Sequence, residues 1–134
     1  LRAMENLGQA ARRRMTGMVV AITGSVGKTS TKEALRCVLG AFGRTHASAA
    51  SYNNHWGVPL TLARMPIDAE FGVFEIGMNH ADEIRPLVNM VRPQVAIITA
   101  IAPVHLENLG TIEAIADALR GRPLAERRPR LQAP

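Results

Sequence analysis

Residues 18 to 35, MVVAITGSVGKTSTKEAL, leave a chain of this kind few choices. Val19, Val20, Ala21, Ile22 and Thr23 make an apolar, largely β-branched run that reads as a buried strand, and Gly24-Ser25-Val26-Gly27 turns it straight into a helix beginning near Lys28. A strand joined to a helix N-terminus through glycines is the outline of a phosphate-binding loop. Gly24 and Gly27 let backbone N–H groups converge on phosphate oxygens, the helix presents its positive end, Lys28 adds a point charge, and Thr29 offers a hydroxyl to Mg2+. Ser25, Val26 and Ser30 complete the candidate nucleotide-contacting stretch. The glycine pair is Gly24-x-x-Gly27, shorter than the common G-x-x-x-x-G-K-[ST], because Ile22 stands where that pattern has its first glycine. The competing reading is an ordinary strand-to-helix turn with a surface lysine.

Two further apolar runs read as strands, Phe71 to Ile76 and Val95 to Ala100. Glu75 closes the first, where a carboxylate is costly to bury unless it is paired or bound to a cation; Mg2+ ligation competes with a glutamate reaching solvent. The second is apolar throughout, which predicts cover on both faces, and it runs into His105, either a structural histidine or one that joins the same sheet edge. In open parallel sheets ligands gather beyond the carboxyl ends of the strands, which is where the loop, Glu75 and His105 should emerge.

Helical spacing covers residues 3 to 15, with Arg12-Arg13-Arg14 as its solvated C-terminal end, and continues from the glycine loop to about Ala41 with Ala34, Leu35, Val38 and Leu39 facing inward. Residues 44 to 51 fit a short strand or a loop. Tyr52-Asn53-Asn54-His55-Trp56-Gly57-Val58-Pro59 is a polar loop leading to a short helix through Leu60, Leu62 and Met65, and Asn79 and Asp82 read as the cap of a helix over about His80 to Val91. Strands alternating with helices predict an α/β fold, a mostly parallel sheet with helices on both faces.

A chain of 134 residues with 47% hydrophobic residues suits one modest domain. No apolar run approaches a membrane span and the N-terminus lacks a signal-peptide core, so an intracellular, cytoplasmic setting without membrane attachment is expected. The single cysteine, Cys37, fits a reducing compartment and reads as a small core residue. The net charge of +5 suggests nucleic acid until its distribution is counted. Residues 1–118 hold eleven Lys+Arg against ten Asp+Glu, whereas residues 119–134 hold five arginines against Glu126 alone. The basicity belongs to a segment without periodicity and without aromatic residues to stack on bases, so nucleic-acid binding ranks last and disorder of that tail is expected.

Taken together, Ile22-Thr23-Gly24-Ser25-Val26-Gly27-Lys28-Thr29-Ser30 resembles the ATP loop of the Mur ligases, amide-forming enzymes of peptidoglycan synthesis that share the short glycine spacing with folylpolyglutamate synthases. Tyr52-Asn53-Asn54 with Gly57-Val58-Pro59-Leu60-Thr61, Phe74-Glu75-Ile76-Gly77-Met78-Asn79-His80, and Ala102-Pro103-Val104-His105-Leu106-Glu107 with Gly110 are similar to the branch that adds D-alanyl-D-alanine. The resemblance implies ATP and Mg2+, a UDP-linked muramoyl tripeptide and D-alanyl-D-alanine as partners, and a monomer. It implies Lys28 on the β/γ-phosphates, Thr29 and Glu75 on a first Mg2+, His105 on a second, and Asn53, Asn54, Asn79 and His80 near the substrates. It also implies a linker helix over residues 1–17 from a missing N-terminal domain, a partial central ATP-binding domain over 18–118, and a disordered or frame-shifted segment over 119–134. Where the family carries a carbamylated lysine this chain has Leu119, so the isolated chain is expected to lack ligase activity. The alternatives are a non-catalytic ATP/Mg-binding remnant and a folylpolyglutamate synthase-like ligase.

Overall fold

The computed structural model describes residues 1–78, 83–103 and 110–119. Among them the order is α1 (Arg2–Arg14), β1 (Met18–Thr23), α2 (Lys28–Gly40), β2 (Thr45–Ala47), α3 (Gly57–Ala63), β3 (Phe71–Glu75), α4 (Ile84–Val91), β4 (Val95–Ile98) and α5 (Ile112–Leu119). The four strands form one parallel sheet in the order β2-β3-β1-β4. The ambiguous stretch after Gly43 is therefore an edge strand, and the sheet has one strand more than the three apolar runs predict.

Alternation along β1 sends successive side chains to opposite faces. Val19 and Ala21 join Phe74, Val58, Leu62, Met65, Leu87, Val91 and Ile115 in the larger apolar cluster, under α1, α3, α4 and α5. Val20 and Ile22 join Val73, with Leu35, Leu39, Ala47 and Ile97 packed against them, under α2. Helices thus lie on both faces, as the pattern predicts. Pro59 and Pro86 sit within the first turns of α3 and α4, where a missing N–H breaks no helical hydrogen bond.

Three expectations are corrected, and a fourth is not reached by the described residues. Arg12 is not a solvated helix end: it is buried, with Nε donating to the Val91 carbonyl at 2.6 Å and the other guanidinium nitrogens to Arg92 and Met15 carbonyls at 2.8 and 3.3 Å. It joins α1 to the end of α4, and burial, reinforced by the nearby charge of Arg92, lowers its pKa from the ordinary value. Cys37 is exposed, and so are Ala34 and Val38, because α2 lies on the sheet along the single row Lys32, Leu35, Leu39. Among the described residues β4 pairs only with β1 and leaves Val95 and Ile98 exposed, so its apolar sequence does not reflect cover on both faces. Finally, α4 is described only from Ile84, and the Asn79 and Asp82 cap lies outside the described residues.

Candidate functional site

The carboxyl end of the sheet is set by register. Ile22 lies abreast of Glu75 on β3 and of Ile97 on β4, so β1 delivers the glycine loop between the exits of its two neighbours. Gly24 takes φ 138° and Gly27 φ 84°, conformations that side-chain-bearing residues rarely adopt. A Cβ on Gly24 would lie 2.2 Å from Thr99 Oγ1, so the loop closes directly on the chain leaving β4. Ser25 fastens it there: its N–H donates to the Ala100 carbonyl at 2.8 Å, while its hydroxyl donates to the Ala102 carbonyl at 3.1 Å and accepts from the Ala102 N–H at 3.0 Å. Lys28 Nζ donates to the Gly24 carbonyl at 2.7 Å, so the ammonium stands over the loop.

Thr29, on the first turn of α2, donates its hydroxyl hydrogen to Glu75 Oε2 at 2.9 Å. Asn53 Nδ2 donates to the other oxygen, Oε1, at 2.8 Å. Glu75 is 1% exposed, which removes the alternative of a glutamate simply reaching solvent. Among the described residues its side-chain partners are Thr29 and Asn53, both neutral. Gly77 keeps room for this: a Cβ there would lie 2.6 Å from Asn53 Oδ1.

A hydroxyl and a carboxylate side by side, next to loop amides, are hard oxygen donors of the kind Mg2+ takes together with phosphate oxygens and water. No group of three or more His, Cys, Asp and Glu gathers among the described residues, so any cation here depends on a ligand's oxygens for the rest of its shell.

Of the other expected site residues, Ser30 lies on the first turn of α2 and Val26 is exposed on the loop. Asn54 is engaged locally, its Oδ1 accepting from the N–H groups of Trp56 and Gly57 at the start of α3. His105, Asn79 and His80 lie outside the described residues. Leu119 is buried beside Ala114, Ile115 and Ala118 and lines an apolar cavity of about 400 Å3 with Ala21, Ile76 and Val88.

Two residues at this edge carry no signal in the sequence. Ser48 is buried and its hydroxyl accepts from the Glu75 N–H at 3.2 Å, and Lys32, fully buried, donates to the Ser48 and Ala50 carbonyls. A helix-borne lysine four positions after Lys28 reads as solvated, and only the path of the loop after β2 reveals otherwise.

A model of the Mur ligase middle domain matches residues 22–120. The UDP-N-acetylmuramoyl-tripeptide–D-alanyl-D-alanine ligases of Rickettsia prowazekii and Bacillus subtilis are 42% and 40% identical over 116 and 118 residues, 87% and 88% of this chain. The chain spans 26% of each of those relatives. A crystal structure of MurF from Acinetobacter baumannii matches 89% of the chain with a TM-score of 0.85 at 35% identity, covering 26% of that protein. The MurF ligase of Thermotoga maritima, solved in complex with ADP, matches the same share with a TM-score of 0.80 at 30% identity, covering 29% of that protein. Kinship at this level, along most of the sequence and across the fold that brings Thr29 on α2 to Glu75 on β3, has one meaning: the chain belongs to the Mur ligase family, through that family's middle domain.

Proposed function

We propose that this chain is the nucleotide-binding part of a cytoplasmic, ATP-dependent amide ligase of the MurF type, which joins D-alanyl-D-alanine to a UDP-linked muramoyl tripeptide. The observation that carries the proposal is the Thr29–Glu75 contact beside the Gly24–Lys28 loop. A carboxylate is a poor electrophile, so the γ-phosphoryl group of ATP passes to the tripeptide's terminal carboxylate, giving an acyl phosphate and ADP. The dipeptide amine then attacks the acyl carbon, forming the amide and releasing inorganic phosphate and a proton. Such a transfer is governed by positioning and charge neutralisation. In this reading the loop amides from Gly24 to Gly27 bind phosphate oxygens and Lys28 holds the β/γ-phosphates. Thr29 and Glu75 hold one Mg2+, and His105 serves a second. Bound Mg2+ supplies neutralisation of phosphate charge.

For the 134-residue chain alone we propose ATP and Mg2+ binding without ligation, as a monomer and with no part for nucleic acid or membrane. Leu119 favours this second reading, since leucine cannot form the carbamate that the family resemblance calls for at that position. Among the described residues no helix is long and apolar enough to cross a membrane.

Calorimetric titration of the purified chain with ATP and Mg2+ tests the proposal. Binding that falls at least tenfold in Lys28→Ala and loses its Mg2+ dependence in Glu75→Gln is expected. Absence of binding, or binding indifferent to both substitutions, overturns it, and amide formation by the chain alone overturns the non-catalytic part.

A further inference from the structure

Lys32 is fully buried, the only lysine among the described residues that is, and the nucleotide-binding reading gives it no part. An ammonium has three N–H donors, and burying one is tolerable only when all three are used. Here they meet the Ser48 carbonyl at 2.8 Å, the Ala50 carbonyl at 2.6 Å and Glu33 Oε1 at 3.0 Å. Two of the three partners belong to the loop that leaves β2.

That loop touches the site at three points. The Ser48 hydroxyl accepts from the Glu75 N–H, Ser51 Oγ lies 3.5 Å from Thr29 Oγ1, and Asn53 donates to Glu75 Oε1 at 2.8 Å. Between them Ala50 takes φ 45°, a left-handed conformation that disfavours any residue with a Cβ. A loop with such a residue at its middle relaxes unless something holds it. The holder is Lys32, whose ammonium takes the Ala50 carbonyl itself. Lys32 also stands on the same stretch of α2 as Lys28 and Thr29, so one helix end presents both the phosphate lysine and the anchor of the opposing loop.

We propose that Lys32 is a positioning residue. It pins the 48–53 loop so that Glu75 and Thr29 hold the orientation that accepts a divalent cation bound to a nucleotide. This inference rests on the nucleotide-binding reading above. It differs from a general structural role in one respect: loss of Lys32 should weaken the cation-dependent part of binding and spare the part that the glycine loop provides.

The test titrates the full chain with ATP in Mg2+ and again in EDTA. Lys32→Met, which keeps the side-chain bulk, is expected to cut the Mg2+-dependent gain in affinity at least tenfold while affinity in EDTA stays within twofold. Adding Ala50→Gly, which removes the cost of the left-handed turn, should restore part of that gain. Ala50→Pro, incompatible with φ 45° at an exposed position, should show the same selective loss with Lys32 in place, and it decides the matter if Lys32→Met does not fold. Wild-type gain retained in the variants overturns the inference, as does equal weakening with and without Mg2+. If the wild-type chain shows no Mg2+-dependent gain, the nucleotide-binding reading fails and the inference falls with it.

Discussion

Thr29 and Glu75 are 46 positions apart in sequence and 2.9 Å apart in the fold, the hydroxyl of one resting on the carboxylate of the other. The contact follows from parallel register: with Ile22 abreast of Glu75, the chain needs only the glycine turn to bring α2 back over the end of β3. The second carboxylate oxygen is held by Asn53, so a group that is 1% exposed keeps a donor on each oxygen.

Asn53→Ala removes one of those donors and leaves Oε1 buried without it. A loss of about 1–3 kcal/mol in unfolding free energy is expected, the usual cost of an unsatisfied buried polar atom. Urea denaturation checks it, with the midpoint falling and the slope unchanged.

Gly24→Ala should act on binding and stability together. The added Cβ falls 2.2 Å from Thr99 Oγ1 and 3.0 Å from the Thr99 N, and φ 138° disfavours alanine in any case. Because a backbone atom is among the obstacles, the loop has to move, and loss of measurable ATP binding with a lowered melting temperature is the expected result. Calorimetry and thermal melting on the same sample report both.

Arg12→Met keeps most of the side-chain stem but leaves the Val91 and Arg92 carbonyls at the end of α4 without their charged donor. Hydrogen bonds from charged groups are the stronger ones, so a loss of about 2–3 kcal/mol is expected. Arg13→Met, one position along on the exposed side, should stay within about 0.5 kcal/mol. Paired denaturation curves separate the two.

His46 supplies a pH dependence. Its ring packs against Phe74 at 6.3 Å and Nε2 lies 2.8 Å from the Thr61 carbonyl, so the neutral tautomer with its proton on Nε2 donates there. Burial lowers its pKa and nearby Arg64 adds to this, against an opposing pull from the Thr61 hydrogen bond. The folded chain therefore resists protonation that the unfolded chain accepts from about pH 6.5 downward. More protons on the unfolded state means stability that rises with pH, so the contribution is intact above about pH 6.5 and is lost as pH falls toward the lowered native value. His46→Gln should flatten the wild-type decline in unfolding midpoint between pH 7 and pH 5.

Lys28, Thr29 and Glu75 were legible in the sequence because each sits where a local pattern breaks: glycines after a strand, a charge at the end of an apolar run. The parallel α/β arrangement followed from the same alternation. Lys32 and Arg12 were not legible, because a cation on a helix signals solvent unless one knows which carbonyls it will meet. Those carbonyls lie 16 and 79 positions away. β2 has only three residues, too few for periodicity to identify, and of the expected inner face of α2 Leu35 and Leu39 pack on the sheet while Ala34 and Val38 do not, because a buried lysine occupies the row where an apolar residue would mark the contact.

The sheet order gives the two halves of the site unequal durability. β1 is bonded on both sides, whereas β2 is a three-residue edge strand bonded on one. Amide exchange by local opening should therefore reach β2 and the loop it carries long before it reaches the strand beneath the glycine turn. Gentle warming would then loosen the hold of Ser48 and Asn53 on Glu75 while the glycine turn still kept its shape, so under the proposed function the cation-dependent part of nucleotide binding would fade before the part owed to the loop.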